Sequence, residues 1–329
     1  MPCYHPIVAY QHKTEKTKLG KSLILFGRQW DNNENVDRIE LPCGGCIGCK
    51  LDKANEWAAR CIYESEKWKH NHFITLTYSE ENTRDLTKSC VDVTTGEVTD
   101  KLSLNKRDLQ LFLKRLRSHY KREFNHTNIR FFACGEYGEH TERPHYHLIL
   151  FNLPIIDLEP FFINKHHQQI YRSKTIEEIW GKGHVSVGEL TFESAAYVAR
   201  YTLKKLTKAE AECIGIEPEF INMSRKPGIG ADYLKDNYKE IYENDELILR
   251  KSVDKVVKQK PIKYFDKLYE QIDPEALYDI KLNRRENAIE ARKIKMSHTT
   301  LTESEVEALE ERSLLRRITS LKREMTESC

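Results

Sequence analysis

The sequence predicts an α+β protein, on two observations. Apolar residues recur at helical spacing in three stretches, and between those stretches lie short β-branched and aromatic runs of strand character. Residues 1–50 hold four cysteines, His5, His12 and the run Cys43-Gly-Gly-Cys46-Ile-Gly-Cys49. Trp57, Ala58, Cys61, Ile62, Ser65 and Trp68 keep a 3.6-residue period, so residues 51–70 read as a helix. Phe73-Ile-Thr-Leu-Thr-Tyr78 reads as a strand, and Glu80–Ser103, with the turn residues Thr94-Thr-Gly-Glu97, as a loop or exposed hairpin. From Asn105, the positions Leu109, Phe112, Leu113 and Leu116 give a helix with one basic face. Ile129–Cys134 and His145–Phe151 are the next strands, and Gly135–Pro144 is long enough for a hairpin connection. Ile176–Trp180 reads as a short helix and His184–Gly188 as a strand. Thr191 then caps an Ala-rich helix from Phe192 to Leu206. Beyond Leu206, Pro218, Pro227 and Gly228-Ile-Gly230 punctuate irregular structure, and the stretch after Asp273 is charged and helical.

Composition narrows the class. The chain has 329 residues, with 53 Lys+Arg against 51 Asp+Glu. It contains no run of 18 apolar residues, so a membrane span is not expected, and its start has no secretory pattern. A cytosolic setting follows, where nine cysteines point to thiols or metal ligands ahead of disulfides. Near-zero net charge leaves nucleic acid open, because local distribution sets the field. Between Asn105 and Arg130, Lys106, Arg107, Lys114, Arg115, Arg117, Lys121, Arg122 and Arg130 face only Asp108 and Glu123.

Three constellations carry chemistry. In Arg143-Pro-His145-Tyr-His147 the two imidazoles project from one face of a strand, a divalent-metal half-site. Glu136, at the end of the preceding strand, is the candidate third ligand. On the helix after Thr191, Tyr197, Arg200, Tyr201 and Lys204 share a face of about 100°. Phenols are poor nucleophiles at neutral pH, and nearby cations favour the phenolate. Cys43, Cys46 and Cys49, with a fourth ligand from Cys3 or His5, would close a tetrahedral zinc site, and the same run could hold an iron–sulfur cluster.

Together these residues resemble the HUH endonuclease superfamily of rolling-circle initiators and relaxases: the strand Phe73–Tyr78, then Pro144-His-Tyr-His147, then the Tyr197/Tyr201 helix. More narrowly, five motifs resemble the replication initiators of gokushovirus-type microviruses (Microviridae), small single-stranded DNA phages. They are Met1-Pro-Cys-Tyr-His-Pro6, Cys43–Lys50, Cys134-Gly-Glu-Tyr-Gly138, Phe192–Tyr201 and Met223-Ser-Arg-Lys-Pro-Gly-Ile-Gly230. The similarity runs from residue 1 to about Pro274.

The resemblance implies a central antiparallel sheet flanked by helices, with an N-terminal Cys-rich extension and a helical C-terminal region. It implies a metal-dependent nickase and strand transferase that cuts the viral origin strand through a 5′-phosphotyrosine and later releases a circular single strand. The implied division is a Cys-rich zinc-binding segment and helix at 1–70, a catalytic core at 71–210, an irregular extension packed on the core at 211–272, and a charged helical tail at 273–329. The implied site is Tyr197 and Tyr201 with Arg200 and Lys204 as catalytic residues, and His145, His147 and Glu136 holding Mg²⁺ or Mn²⁺. Cys3, Cys43, Cys46 and Cys49 would hold structural zinc, and Lys114, Arg115, Arg117 and Lys205 would contact DNA. Related initiators place Lys three residues after the nucleophile. Here Arg200 follows Tyr197 and Lys204 follows Tyr201, so both tyrosines stand as nucleophiles. The implied partners are origin DNA, single-stranded or supercoiled, and the host helicase, polymerase and single-strand-binding protein, in the bacterial cytoplasm. Competing readings are a plasmid-type initiator or single-strand transposase, and a non-catalytic zinc-dependent DNA-binding protein.

Overall fold

A computed structural model describes residues 3–18, 20, 22–91, 96–138, 141–164, 167–200, 215–250 and 256–326. The chain divides into two compact units, one of Met1–Lys53 with Glu290–Met325 and one built on Ala54–Ile289.

In the first unit, β1 (Ile7–Lys16) pairs antiparallel with both β2 (Ser22–Leu25) and β3 (Val36–Leu41), and buries Ala9 and Tyr10. The start of helix α1 (Ile47–Ser65) follows the cysteine run. At the other end of the chain, α8 (Pro274–Ser297) and α9 (Glu303–Thr326) are tied by Arg292, which donates to Glu303 at 2.7 Å and to Glu307 at 3.0 Å. The charged tail is thus two long helices.

The second unit is organised by a seven-stranded sheet. Its strands, in chain order, are β4 (Asn71–Thr77), β7 (Arg130–Tyr137), β8 (Pro144–Phe151), β9 (Leu158–Ile163), β10 (Gln169–Ser173), β11 (Val185–Glu189) and β12 (Phe220–Met223). They lie in the spatial order β12-β7-β8-β4-β11-β10-β9, and every neighbouring pair is antiparallel. β8 sits inside the sheet because all but one of its residues are buried, and a strand buried on both faces reads as a continuous apolar run. Side-chain alternation sends Tyr146, Leu148 and Leu150 to one face and His147, Ile149 and Phe151 to the other.

Helices cover both faces. On the Tyr146 face lie α3 (Lys106–Phe124) and α4 (Lys174–Trp180), burying Leu109, Phe112, Leu113, Leu116, Ile176 and Trp180. Asn105 caps α3 by accepting from the Arg107 amide at 2.9 Å. On the His147 face lie the remainder of α1 and α5 (Phe192–Arg200), burying Ala58, Ala59, Ile62, Ala195, Val198 and Ala199. Between β4 and α3 come the single-turn α2 (Glu80–Thr83) and the hairpin β5 (Thr87–Val91) with β6 (Val98–Leu102), so this stretch takes the hairpin of the two expected forms.

Two stretches differ from expectation. Residues 211–272 are regular over most of their described length: β12 adds an edge to the sheet, and α6 (Ala231–Asn244), the hairpin β13 (Leu247–Arg250) with β14 (Val256–Gln259), and α7 (Lys263–Tyr269) follow. Pro227, Gly228 and Gly230 share one loop, 224–230, while Pro218 lies just before β12 and Pro261 just before α7. That loop is held by charge: a buried Glu64–Arg130 pair accepts from the Gly230 amide at 2.8 Å and donates to the Pro227 carbonyl at 2.9 Å, while Arg60 donates to the Ile229 carbonyl at 2.9 Å. The β9–β10 hairpin has no counterpart among the expected elements. Pro160 inside β9 removes a ladder donor, which is tolerated because β9 is an edge strand.

Candidate active site

The β7–β8 ladder sets Glu136 directly opposite His145, and His147 lies two residues along on the same face. The connection turns at Gly138 and Arg143, whose amide–carbonyl bond closes it at 3.0 Å. As a result both histidine Nε2 atoms reach one oxygen, Glu136 Oε1, at 2.6 Å from His145 and 2.8 Å from His147. The three ligand atoms lie within 4.8 Å of one another.

The outer ring nitrogens are also occupied. His145 Nδ1 lies 3.0 Å from the Arg143 carbonyl, which can only accept, so Nδ1 carries a hydrogen and Nε2 is the nitrogen turned inward to Glu136. His147 Nδ1 lies 2.9 Å from Thr75 Oγ1 on β4. Burial opposes the His145 cation, yet the bond to Glu136 outweighs it and raises the imidazole above its ordinary pKa. Burial likewise opposes the Glu136 carboxylate, and the hydrogen bonds from His145 and His147 bring it below the usual carboxylate value. Glu136 Oε2 is buried with no hydrogen-bond partner among the described residues. Two imidazole nitrogens aimed inward, a carboxylate and an orphaned buried oxygen are a donor set that a divalent cation would satisfy in place of the Nε2 protons.

Tyr197 stands beside this centre. Thr191 and Ser194 start α5 with a reciprocal cap: the Ser194 amide donates to Thr191 Oγ1 at 3.1 Å, and the Thr191 amide donates to Ser194 Oγ at 2.8 Å. With Ala195, Val198 and Ala199 packed inward, the Tyr197 ring meets His147 edge-on at 5.1 Å. Phe73 stacks on the His147 ring at 5.5 Å and meets the Tyr197 ring edge-on at 6.2 Å, so the three rings pack as one cluster. Tyr201, Lys204 and Lys205 lie outside the described residues, as does the Arg200 side chain.

The thiol cluster lies in the first unit. The Sγ atoms of Cys3, Cys43, Cys46 and Cys49 gather within 4.8 Å. Gly44 adopts a left-handed φ of 72° that folds Cys43 back on Cys46. The Cys43 amide donates to Cys3 Sγ at 3.2 Å, the Cys46 amide to Cys43 Sγ at 3.2 Å, and the Cys49 amide to Cys46 Sγ at 3.5 Å. Burial disfavours the Cys46 thiolate, but hydrogen bonds from the Cys49 and Tyr4 amides bring its pKa down to about 6, whereas burial pushes Cys49 up to about 12. Of the two candidates for the fourth position, the fold brings in Cys3. His5 turns instead to Glu311, at 3.0 Å.

The predicted DNA contacts on α3 are placed differently from the centre. α3 packs on the Tyr146 face, across the sheet from Glu136, His145 and His147. The Arg115 guanidinium donates to the Trp180 carbonyl at 2.9 Å. Arg117, half-buried and with its pKa lowered by that burial, donates to the Ile129 carbonyl at 3.1 Å and lies over the Phe131 ring. These two side chains fasten α3 to the unit; Lys114 and Arg115 are exposed.

Sequence reasoning missed Thr75 and Phe73. Both lie on the strand it identified, where alternation places residues 73, 75 and 77 on the face of the histidines.

Comparison with known proteins follows the same stretch of chain. The family model described as Replication-associated protein ORF2/G2P matches residues 71–206, from the start of β4 past α5. The chain is 36% identical over 275 residues to replication-associated protein ORF2 of Spiroplasma virus 4, covering 82% of this chain and 81% of that protein. It is 30% identical over 293 residues to replication-associated protein VP4 of Bdellovibrio phage phiMH2K, covering 86% and 82%. A shorter match, 30% over 196 residues, links it to replication-associated protein ORF4 of Chlamydia phage 1, covering 58% and 45%. No solved structure matches it.

Proposed function

We propose a nicking and strand-transfer chemistry for this chain, which belongs to the family of phage replication-associated proteins matched by the ORF2/G2P family model. In this reading it is a rolling-circle initiator with an HUH-type endonuclease centre, acting on the origin strand of a small single-stranded DNA phage. The observation that carries the reading is the meeting of Glu136, His145 and His147 at one point, with the Tyr197 ring 5.1 Å from His147.

His145 Nε2, His147 Nε2 and Glu136 would hold Mg²⁺ or Mn²⁺, which when bound supplies positive charge to the scissile phosphate. The Arg143 carbonyl and the Thr75 hydroxyl fix both imidazoles so that no reorganisation is needed. Tyr197, with Tyr201 as its partner nucleophile, attacks phosphorus through the phenolic oxygen. The bond from phosphorus to the 3′ oxygen breaks, the phenol loses a proton and the departing oxygen gains one. The products are a free 3′-OH, which a host polymerase extends, and a 5′-phosphotyrosine. Attack on that phosphotyrosine by a later 3′-OH closes a circle without ATP, because the ester keeps the bond energy. Arg200, Lys204 and Lys205 supply cations to the developing negative charge. Cys3, Cys43, Cys46 and Cys49 hold a zinc ion that stabilises the N-terminal segment. The substrate is single-stranded or supercoiled origin DNA, with helicase and single-strand-binding protein from the host. No described helix is long and apolar enough to cross a membrane.

The test is a denaturing gel after incubation with labelled single-stranded origin DNA and Mn²⁺. The wild-type protein forms a covalent band, either single variant, Tyr197→Phe or Tyr201→Phe, forms it at reduced rate, and the double variant forms none. An adduct on the double variant, or none on the wild type in Mn²⁺ or Mg²⁺, overturns the mechanism.

A further inference from the structure

The face of the sheet that carries the histidines does not end at the centre. Across β8, β4 and β11, the register pairs His147 with Thr75 and Thr75 with Ser186, and Ile149 with Phe73 and Phe73 with Gly188. Tyr171 pairs with Val187, so Ile170 and Arg172, its neighbours on β10, fall on the face of Gly188 and Ser186. Gly188 confirms this side: a Cβ there would meet Ile170 Cδ1 at 3.4 Å and Phe73 Cδ1 at 3.8 Å. Unlike the opposite face, where α3 and α4 lie, this outer part presents half-exposed Thr75, Ser186, Ile170 and Arg172.

On the last strand, β9, the register slips between Ile170 and Tyr171: Ile170 pairs with Phe162 and Tyr171 with Pro160, leaving Phe161 as the extra residue of a bulge. A bulge turns two consecutive side chains to one side. The Phe161 and Phe162 rings accordingly meet edge-on at 5.1 Å, and the Arg172 guanidinium lies over the Phe161 ring at 4.3 Å while also pairing with Glu177 at 3.4 Å. Phe161 and Phe162 are 53% and 47% exposed, a large apolar outlay for an edge strand. Addition of a further strand is disfavoured at this edge, because Pro160, Glu159 and the bulge are devices that blunt strand pairing.

We infer that Phe161 and Phe162, with Arg172 beside them, form a base-stacking platform for single-stranded DNA on the same face of the sheet as Glu136, His145 and His147. Aromatic faces stack any base, and the guanidinium adds a planar cation next to the ring, which suits a strand whose bases are unpaired. Four inter-strand steps separate β8 from β9, about 19 Å, which a strand at stacked spacing crosses in no more than about six nucleotides. The inference rests on the proposed single-strand substrate and adds where its bases are held.

The test uses the full chain and two probes, a twelve-nucleotide thymidine oligomer and an abasic oligomer with the same number of phosphates. Wild-type protein should bind the thymidine strand about tenfold more tightly than the abasic one, and Phe161→Ala/Phe162→Ala should lose that preference with an unchanged salt dependence. Phe161→Leu/Phe162→Leu keeps the apolar surface and guards against misfolding; it should behave as the alanine pair does. A preference that survives in both variants overturns the platform. So does sedimentation showing that the rings instead hold two copies of the chain together, with the variants monomeric. Adduct formation by the wild type, read separately, tells failure of the platform from failure of the nicking chemistry.

Discussion

The thiol cluster and the Glu136–His145–His147 centre are both compact groups of metal-ligating atoms, yet they are built on opposite plans. The Cys43 and Cys46 sulfurs accept backbone amides from their own loop, the Cys3 sulfur accepts the Cys43 amide from across the fold, and the four sulfurs gather as the ligands a tetrahedral site would need. Such a set leaves no place for a substrate. The strand-borne centre offers three ligands, a buried oxygen without a partner and a phenol ring at its side. It leaves places open. Closure by four soft ligands would suit a structural ion, and an incomplete set of harder ligands would suit a catalytic one.

The sharpest way to break the comparison is to remove ligands from the open centre. His147→Ala or His145→Ala should lower adduct formation by at least about a thousandfold while single-strand affinity changes only a few-fold, because phosphate contacts dominate affinity. Thr75→Ala, which leaves the ligands but removes the hydroxyl at His147 Nδ1, should fall between, with about 10- to 100-fold lower activity and a raised requirement for Mn²⁺. Rate assays over a Mn²⁺ titration check both. Wild-type turnover by either histidine variant in Mg²⁺ would remove the metal assignment.

The closed cluster should respond in the opposite sense. Cys46→Ser should release zinc and lower the melting temperature by several degrees, since structural zinc contributes folding free energy directly. Adduct formation by the protein that remains folded should persist. Acid should release the ion as well, because each sulfur binds as a thiolate. Elemental analysis of protein purified without chelator decides the matter: iron, or no metal, rejects the zinc assignment.

The two clusters were also unequally legible. His-x-His on an apolar strand and a Glu nine residues upstream are local patterns, and strand alternation with one hairpin is enough to bring them together. The three-cysteine run is local too, but the choice between Cys3 and His5 depended on Glu311, at the far end of the chain. What stayed hidden was set by non-local pairing. Thr75 and Phe73 look like ordinary strand residues until β4 is laid beside β8. The bulge at Phe161 is a property of register, which no run of residues displays. Strand β12 is four residues long and forms only because β7 offers an edge. The partners of Arg115 and Arg117 are backbone carbonyls, which carry no side-chain signature at all.

That last point yields the smallest expected effect. Helix α3 is the most basic element in the sequence reading, and simple counting gives Lys114, Arg115 and Arg117 three phosphate contacts. If all three met single-stranded DNA, replacing them with Ala would flatten the slope of log affinity against log salt by about 0.7 for each charge. The fold divides them. Arg117 is half-buried with two guanidinium nitrogens directed at the Ile129 carbonyl, Arg115 reaches the Trp180 carbonyl, and the helix lies across the sheet from the histidines. Lys114 and Arg115 are exposed and Arg117 is half-buried, so the triple variant should change the slope by no more than about 1.4 in total. Its main cost should be to stability: loss of the Arg117 bonds leaves a carbonyl short of a donor and should destabilise by about 1–2 kcal/mol, whereas Lys114→Ala should be nearly neutral. Binding isotherms at several salt concentrations, with denaturant unfolding of the same variants, separate the two roles. A slope change near the full three-charge value with unaltered stability would make α3 a DNA-binding face, and the single strand would then have to contact both sides of the sheet.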